Sequence, residues 1–160
     1  MDDQAIVGRY LGTRGLNSGA TPEAVLVVGP PATGKTRWRR EHLPDHVPVD
    51  AGDLFWFLGA SVDDDFPGPW EDALERVGRL VAETALRERR HVVIELLGNE
   101  DSPVKAVAMR LRAAGYRTRM EAVVCSVEEA MRRNVARGAD NISCYFAEGL
   151  HAGWVLDAAP

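Results

Sequence analysis

Eight consecutive residues constrain this chain more than any others: Gly29-Pro30-Pro31-Ala32-Thr33-Gly34-Lys35-Thr36 fills the pattern GxxxxGK[ST] completely. The all-apolar run AVLVV (Ala24–Val28) precedes it, and the helix-compatible stretch TRWRREHL, stopped by Pro44, follows it. A short apolar run bounded by Pro22 and by Gly29–Pro31 suits a strand buried on both faces of a parallel sheet. The motif therefore falls at the strand-to-helix turn that a phosphate cradle requires. Gly29 and Gly34 permit the backbone to turn successive N–H groups inward, with Pro30, Pro31, Ala32 and Thr33 completing the loop. The start of the helix adds its positive dipole end. Lys35 is placed to reach the β- and γ-phosphates of a nucleoside triphosphate and the Thr36 hydroxyl to hold Mg²⁺. Of 19 basic residues, all but Lys35 and Lys105 are arginine, so lysine is retained where a compact ammonium fits and a guanidinium fork does not.

The rest of the chain alternates between two kinds of pattern. A short helix and turn are expected before Gly19. His46–Asp50 (HVPVD) reads as a second strand leading into a loop AGDLF, and Ser61–Pro69 as an acidic surface loop in which Asp63–Asp65 is solvated. From Trp70 to about Glu88, Leu74, Val77, Leu80, Val81, Thr84 and Ala85 recur at spacings of three and four, the apolar stripe of an amphipathic helix. His91–Leu97 (HVVIELL) is expected as a third strand, Pro103–Ala114 as a helix closed by Gly115, and Arg117–Cys125 as a fourth strand. Helices follow from Ser126 to about Arg137 and from Ile142 to Leu150. Such alternation implies βαβ crossovers. The expected fold is α/β, a three-layer P-loop NTPase sandwich with a mainly parallel sheet of four to five strands in the order 2-3-1-4. It forms one domain over residues 1–160, with a lid region at about 126–151, and the sequence offers no convincing fifth strand after it.

With 160 residues, 46% of them apolar and 27% charged, the chain can bury one core of ordinary size. A net charge of −5 argues against a protein built to coat nucleic acid, which needs a basic stripe, and favours a small-molecule substrate. No run approaches a membrane span and the acidic start MDDQ lacks signal-peptide character, so a cytoplasmic protein without membrane association is expected. Cys125 and Cys144 are too few for a disulfide scaffold, and the four histidines lack ligand spacing.

A phosphate loop alone does not separate kinases from other NTPases. The chain has no NKxD-type guanine-reading motif, no LSGGQ-like signature and no room for an AAA-type helical lid domain. The short nucleotide- and metabolite-kinase architecture remains. The segments GPPATGKT, VDAGDLF, HVVIE and AMRLRAAGYRTRMEAVV, with Arg137 on the helix after them, fall in an order that resembles the zeta-toxin family of P-loop kinases over roughly residues 24–137. That resemblance implies ATP and Mg²⁺ as cofactors and phosphoryl transfer to a small molecule, with a sugar nucleotide such as UDP-N-acetylglucosamine as one acceptor.

Phosphoryl transfer needs a carboxylate near the acceptor hydroxyl and cations around the transferred group. Asp53 stands after the second strand, on the edge where open α/β sheets place ligands, and matches the family's catalytic aspartate; a helix cap or turn is the alternative, with Asp50 in reserve. Glu95 ends an apolar run and is expected to face the cleft, contacting substrate or a Mg²⁺-bound water, or else to pair with Arg87, Arg89 or Arg90. Arg133 and Arg137, four apart on one helical face with Arg132 beside them, are candidate lid cations. Phe55, Trp56 and Phe57 offer an apolar platform for a ring, although packing in the core is expected for at least two of them. The family's Gly-Thr-x-Arg after the glutamate is replaced by Leu96-Leu97-Gly98-Asn99, which leaves Asn99 as the substrate-side residue there. An ATPase or switch acting on a protein partner, or a relative that only binds nucleotide, are the alternative functions. A homodimer or an antitoxin-like partner stays open, because an unfilled sheet edge invites a second chain.

Overall fold

A computed structural model describes residues 2–61, 63–98, 101–136 and 144–158, with the backbone alone at 101, 102 and 144–150. The chain runs α1 (Asp3–Leu11), β1 (Glu23–Val28), α2 (Lys35–His42), β2 (Val47–Pro48), α3 (Ala51–Phe57), a 3₁₀ turn (Gly68–Trp70), α4 (Glu71–Arg87), β3 (Val92–Leu96), α5 (Asp101–Ala113), β4 (Arg117–Ala122), α6 (Val127–Ala136) and α7 (Cys144–Ala158). The four strands form one sheet in the order β2-β3-β1-β4, with every neighbouring pair parallel, as the alternation of patterns predicts.

Burial of β1 on both faces explains its composition. Ala24 and Leu26 pack with Val92, Ile94 and Leu96 of β3 against α1, α4, α5 and α7, whereas Val25, Val27 and Val93 point the other way, toward Trp38 of α2 and Leu43. The two helical layers are thus unequal, and the larger core lies on the α4 side. There α4 buries Leu74, Val77, Val81, Thr84 and Ala85, with Leu80 half-buried, which is the stripe legible in the sequence.

Several boundaries differ from expectation, among them that of β4, which ends at Ala122 and not at Cys125. β2 pairs only at Val47 and Pro48. As an edge strand it turns the N–H groups of Val47 and Val49 toward β3, bonding His91 and Val93 carbonyls at 2.9 Å, so the missing N–H of Pro48 faces outward where none is required. The segment AGDLF, expected as a loop, is the start of α3, which Asp50 caps by accepting the Asp53 N–H at 2.7 Å. The C-terminal helix does not stop at Leu150. α7 runs to Ala158 and drives Trp154, 2% exposed, into the main core. It crosses α4 at Gly78, where an added Cβ would meet the indole ring at 2.3 Å, and the indole N–H donates to Glu75 at 3.1 Å. The segment from His151 onward therefore belongs to a core layer and not to a lid.

Candidate active site

The loop between β1 and α2 has the conformation of an anion cradle. Ala32 is held in the left-handed region at φ 60, which costs a non-glycine residue of order 1 kcal/mol, and Gly34 follows at φ 100. Gly34 caps α2 with no side-chain hydrogen bond, and the first turn of α2 carries no acidic residue. No acidic side chain of that turn and no capping side chain competes for its N–H groups, and a phosphate fits them. Lys35, 5% exposed, lies along the loop and donates from Nζ to the carbonyls of Gly29 at 2.6 Å and Pro30 at 2.9 Å, within the loop that would surround a triphosphate. The Thr33 hydroxyl donates to the Pro30 carbonyl and braces the turn.

A line of charged contacts runs from this cradle into the neighbouring cleft. The Thr36 hydroxyl donates to Glu95 Oε2 at 2.9 Å; Glu95 Oε1 accepts from Arg39 Nε at 2.7 Å; and the far end of Arg39 lies 2.8 Å from Asp53 Oδ2. Arg40 reaches Asp53 Oδ1 at 2.8 Å. Glu95 is therefore joined to the hydroxyl expected to hold Mg²⁺. Its cationic partner is Arg39 from α2, not Arg87, Arg89 or Arg90, because the end of β3 faces the first turns of α2 and those arginines lie beyond its opposite end. Among the described residues no three His, Cys, Asp or Glu side chains converge on one point. A Mg²⁺ ion fits Thr36 and Glu95 in the usual manner, with few protein ligands and the remainder from phosphate and water.

Burial sets the electrostatics. Glu95, 7% exposed, has its carboxyl raised above the ordinary range by desolvation and then by Asp50, with Arg39 and the Thr36 hydroxyl pulling it back. Desolvation and then Asp53 likewise raise Asp50. Burial would lower the Arg39 guanidinium, but Asp53, Glu95 and Asp50 together hold it above its usual value. One buried cation thus serves three carboxylates.

Asp53 stands on the wall of a cavity of about 590 Å³, together with Tyr10, Arg14, Arg40, Trp56 and Phe57. Only Phe55 of the three aromatics joins the core; Trp56 and Phe57 are 39% and 36% exposed at the cavity, so the platform has two members. Tyr10 donates its hydroxyl to the Pro48 carbonyl at 2.8 Å, and burial, then Asp53, raises its ionisation well above the ordinary tyrosine range. Arg14 lies over the Tyr10 ring at 5.3 Å and donates to the Tyr10 carbonyl.

On the opposite side of the cradle, Arg133 of α6 donates to the Thr33 carbonyl at 3.4 Å and to Glu129 at 2.6 Å, which places this arginine against the phosphate loop. Hydrogen bonds from Arg132 and then Arg133 lower the Glu129 carboxyl to about 2. A second, apolar cavity of about 270 Å³ separates α6 from the loop, between Pro30, Pro31, Cys125, Val127 and Met131. Arg137 and Asn99 lie outside the described residues.

Sequence reasoning missed Arg39, Arg40, Arg14, Tyr10 and His151. Arg39 had a signal, since it stands one helical turn from Lys35 on the same face of α2. His151 had none. It is 1% exposed on α7, with Nε2 2.5 Å from the Glu95 carbonyl oxygen and Nδ1 accepting the Ala51 N–H at 3.4 Å, and so it ties the end of β3 to the start of α3.

A parallel sheet in this order, with a phosphate loop leading into α2 and an acid at the end of the neighbouring strand, defines a P-loop NTPase with a kinase-like core. The chain belongs to the AAA domain family AAA_33, whose profile matches residues 25–148. That description covers the core that binds the nucleotide; after β4 the described residues form α6 and α7 and no separate helical domain. No curated protein matches the chain. Among solved structures, a chain of the Pnkp1/Rnl/Hen1 RNA repair complex is similar with 17% identity and a TM-score of 0.56, over 89% of this chain and 46% of that one. A chain of the Pnkp1/Rnl/Hen1 complex has 20% identity and a TM-score of 0.48, over 73% and 41%. The protein therefore spans less than half the length of these solved chains, and the likeness to the first is one of fold.

Proposed function

We propose that the protein is a cytoplasmic kinase that transfers the terminal phosphoryl group of ATP to a hydroxyl of a small molecule held in the Asp53 cavity. The observation that carries this reading is the unbroken series Thr36–Glu95–Arg39–Asp53, which couples the nucleotide cradle to a carboxylate on the wall of a second cavity.

Bound ATP and Mg²⁺ supply the transferable phosphoryl group and neutralise its charge. Thr36 and Glu95 would hold the metal, Lys35 and the N–H groups of α2 the β- and γ-phosphates, and the apolar cavity beside Pro30 and Met131 the base. Arg133 approaches from α6 to offset charge on the group in transit, with Arg137 as a further candidate. Asp53 orients the acceptor hydroxyl and accepts its proton as the new O–P bond forms and the bond to the leaving diphosphate breaks. Because Arg39 and Arg40 both hold the Asp53 carboxylate in place, orientation is its larger contribution; a loose phosphoryl-transfer transition state asks for little more.

Trp56 and Phe57 favour an acceptor that carries a ring, and sugars, nucleosides, antibiotics and sugar nucleotides are the candidates, the last supported by the zeta-toxin resemblance. Net charge favours a small acceptor over nucleic acid, although the fold is also that of a chain in an RNA repair complex. ADP release measured against UDP-N-acetylglucosamine, nucleosides, aminoglycosides, simple sugars and an RNA oligonucleotide with a free 5′-hydroxyl tests this. One small acceptor should raise turnover. Lys35→Ala should abolish ATP binding, and Asp53→Asn should bind ATP normally while losing about 100-fold in turnover. Stimulation by the oligonucleotide alone overturns the small-molecule reading, and no stimulation by any acceptor overturns the kinase reading in favour of a nucleotide-dependent module acting on a protein partner.

A further inference from the structure

The outer edge of β4 is unpaired among the described residues, and its side chains and backbone select one way of filling it. We infer that β4 pairs antiparallel with β4 of a second copy of this chain, about a twofold axis at Met120.

Backbone parity comes first. Arg117 donates its N–H to the Pro22 carbonyl and Val123 to the Val28 carbonyl, both toward β1. Odd-numbered residues of β4 therefore spend their main-chain groups on β1, and Thr118, Met120 and Ala122 direct theirs to the open edge. A twofold at Met120 sets these outward groups opposite one another, Met120 with Met120 and Thr118 with Ala122, so each exchanges hydrogen bonds with its counterpart. Charge then fixes the register. With Met120 on the axis, Arg119 stands directly across from Glu121 of the second copy, twice over. Moving the axis to Thr118 or Glu121 instead opposes Arg117 with Arg119 or Glu121 with itself, and moving it to Arg119 keeps two Arg117–Glu121 pairs but sets Arg119 against itself on the axis. Like charges directly opposite are destabilising, so those registers are disfavoured. Arg119 already contacts Glu121 and Glu23 within the chain, and pairing lets the same charges be shared across the axis.

The other face of the strand supplies apolar area. Met120 is 61% exposed and Met109 of α5 is 67% exposed, and with Val104 and Ala108 they border a groove of about 310 Å³ between α5 and β4. In the paired arrangement the two Met120 side chains meet on the axis above these grooves and lose that exposure. Lys105 and Arg112 at the rim keep the groove from extending into a wider apolar surface.

Sedimentation equilibrium of the full chain, from about 1 to about 200 μM, tests the arrangement. The wild type should be a reversible dimer. Arg119→Glu and Glu121→Arg should each weaken it by about tenfold or more, and the double variant Arg119→Glu/Glu121→Arg should restore it, since the swap re-creates opposite charges across the axis. Met120→Pro removes only an outward N–H and leaves the bonds to β1 intact, so it should give a monomer whose circular dichroism and Tm match the wild type. A wild type that stays monomeric, a dimer that survives Met120→Pro and both charge reversals, or a double variant that fails to recover association would each overturn the proposal.

Discussion

Arg39 is the residue on which the site depends most. It is 4% exposed, in contact with Glu95 and Asp53 and close enough to Asp50 to feel its charge. Removing one partner of such a buried set leaves the remaining charges uncompensated, which costs far more than the pair itself contributes. Arg39→Met should therefore destabilise the protein by about 3–5 kcal/mol in urea titration. Arg39→Lys should recover part of that stability, but little turnover, because one ammonium cannot make the two separate contacts that the guanidinium fork makes. The phosphate loop was legible in full because its residue types answer to local backbone geometry. Asp53 was legible as a carboxylate after β2, but its setting was not: it occupies the third position of a helix that Asp50 caps, and its two arginine partners come from α2. No local pattern encodes a contact between separate elements.

Elements read most clearly where one face is apolar. The interior strands β1 and β3 and the helix α4 stood out because burial dictated their composition, whereas β2 was overestimated since an edge strand can pair at two residues and then depart. α7 was cut short because Gly153, Trp154 and Val155 do not announce a helix; what secures it is a contact with α4, far away in the sequence. Gly78→Ala should push the Trp154 ring aside and destabilise by about 1–3 kcal/mol. Trp154→Ala should cost about 3–5 kcal/mol and open a cavity. If Gly78→Ala proved neutral by thermal melting, the close crossing of the two helices would be wrong.

For the whole molecule, pH reports on the buried joint between α7 and the site. Desolvation lowers His151 to about 4 from an ordinary value of 6.5, against the hydrogen bond to Glu95. The unfolded chain then binds a proton that the folded chain refuses, so the contribution of the neutral imidazole is complete above pH 6.5 and falls as pH drops from about 6.5 to about 4. The loss is about 3 kcal/mol at most. Asp50 and Glu95, both raised by burial, act in the opposite sense at the acidic end. The His151 share is read from the difference between wild type and His151→Asn, whose denaturation midpoint should be flatter across pH 5–6.5. Protonation would also silence the acceptor of the Ala51 N–H, so acid should loosen α3 before it unfolds the sheet.

Tyr10 and Arg14 have one more consequence. Both line the cavity beside Asp53, yet both precede the first residue of the family match, which begins at residue 25. On the proposed reading, the nucleotide is handled wholly within the matched stretch, while one wall of the acceptor cavity is written ahead of it. The donor machinery can be inherited unchanged while a few substitutions in α1 and the turn after it give a new clientele. A chimera that exchanges only the first twenty or so residues should therefore shift acceptor preference, with Trp56 and Phe57 unchanged, while leaving the affinity for ATP where it was.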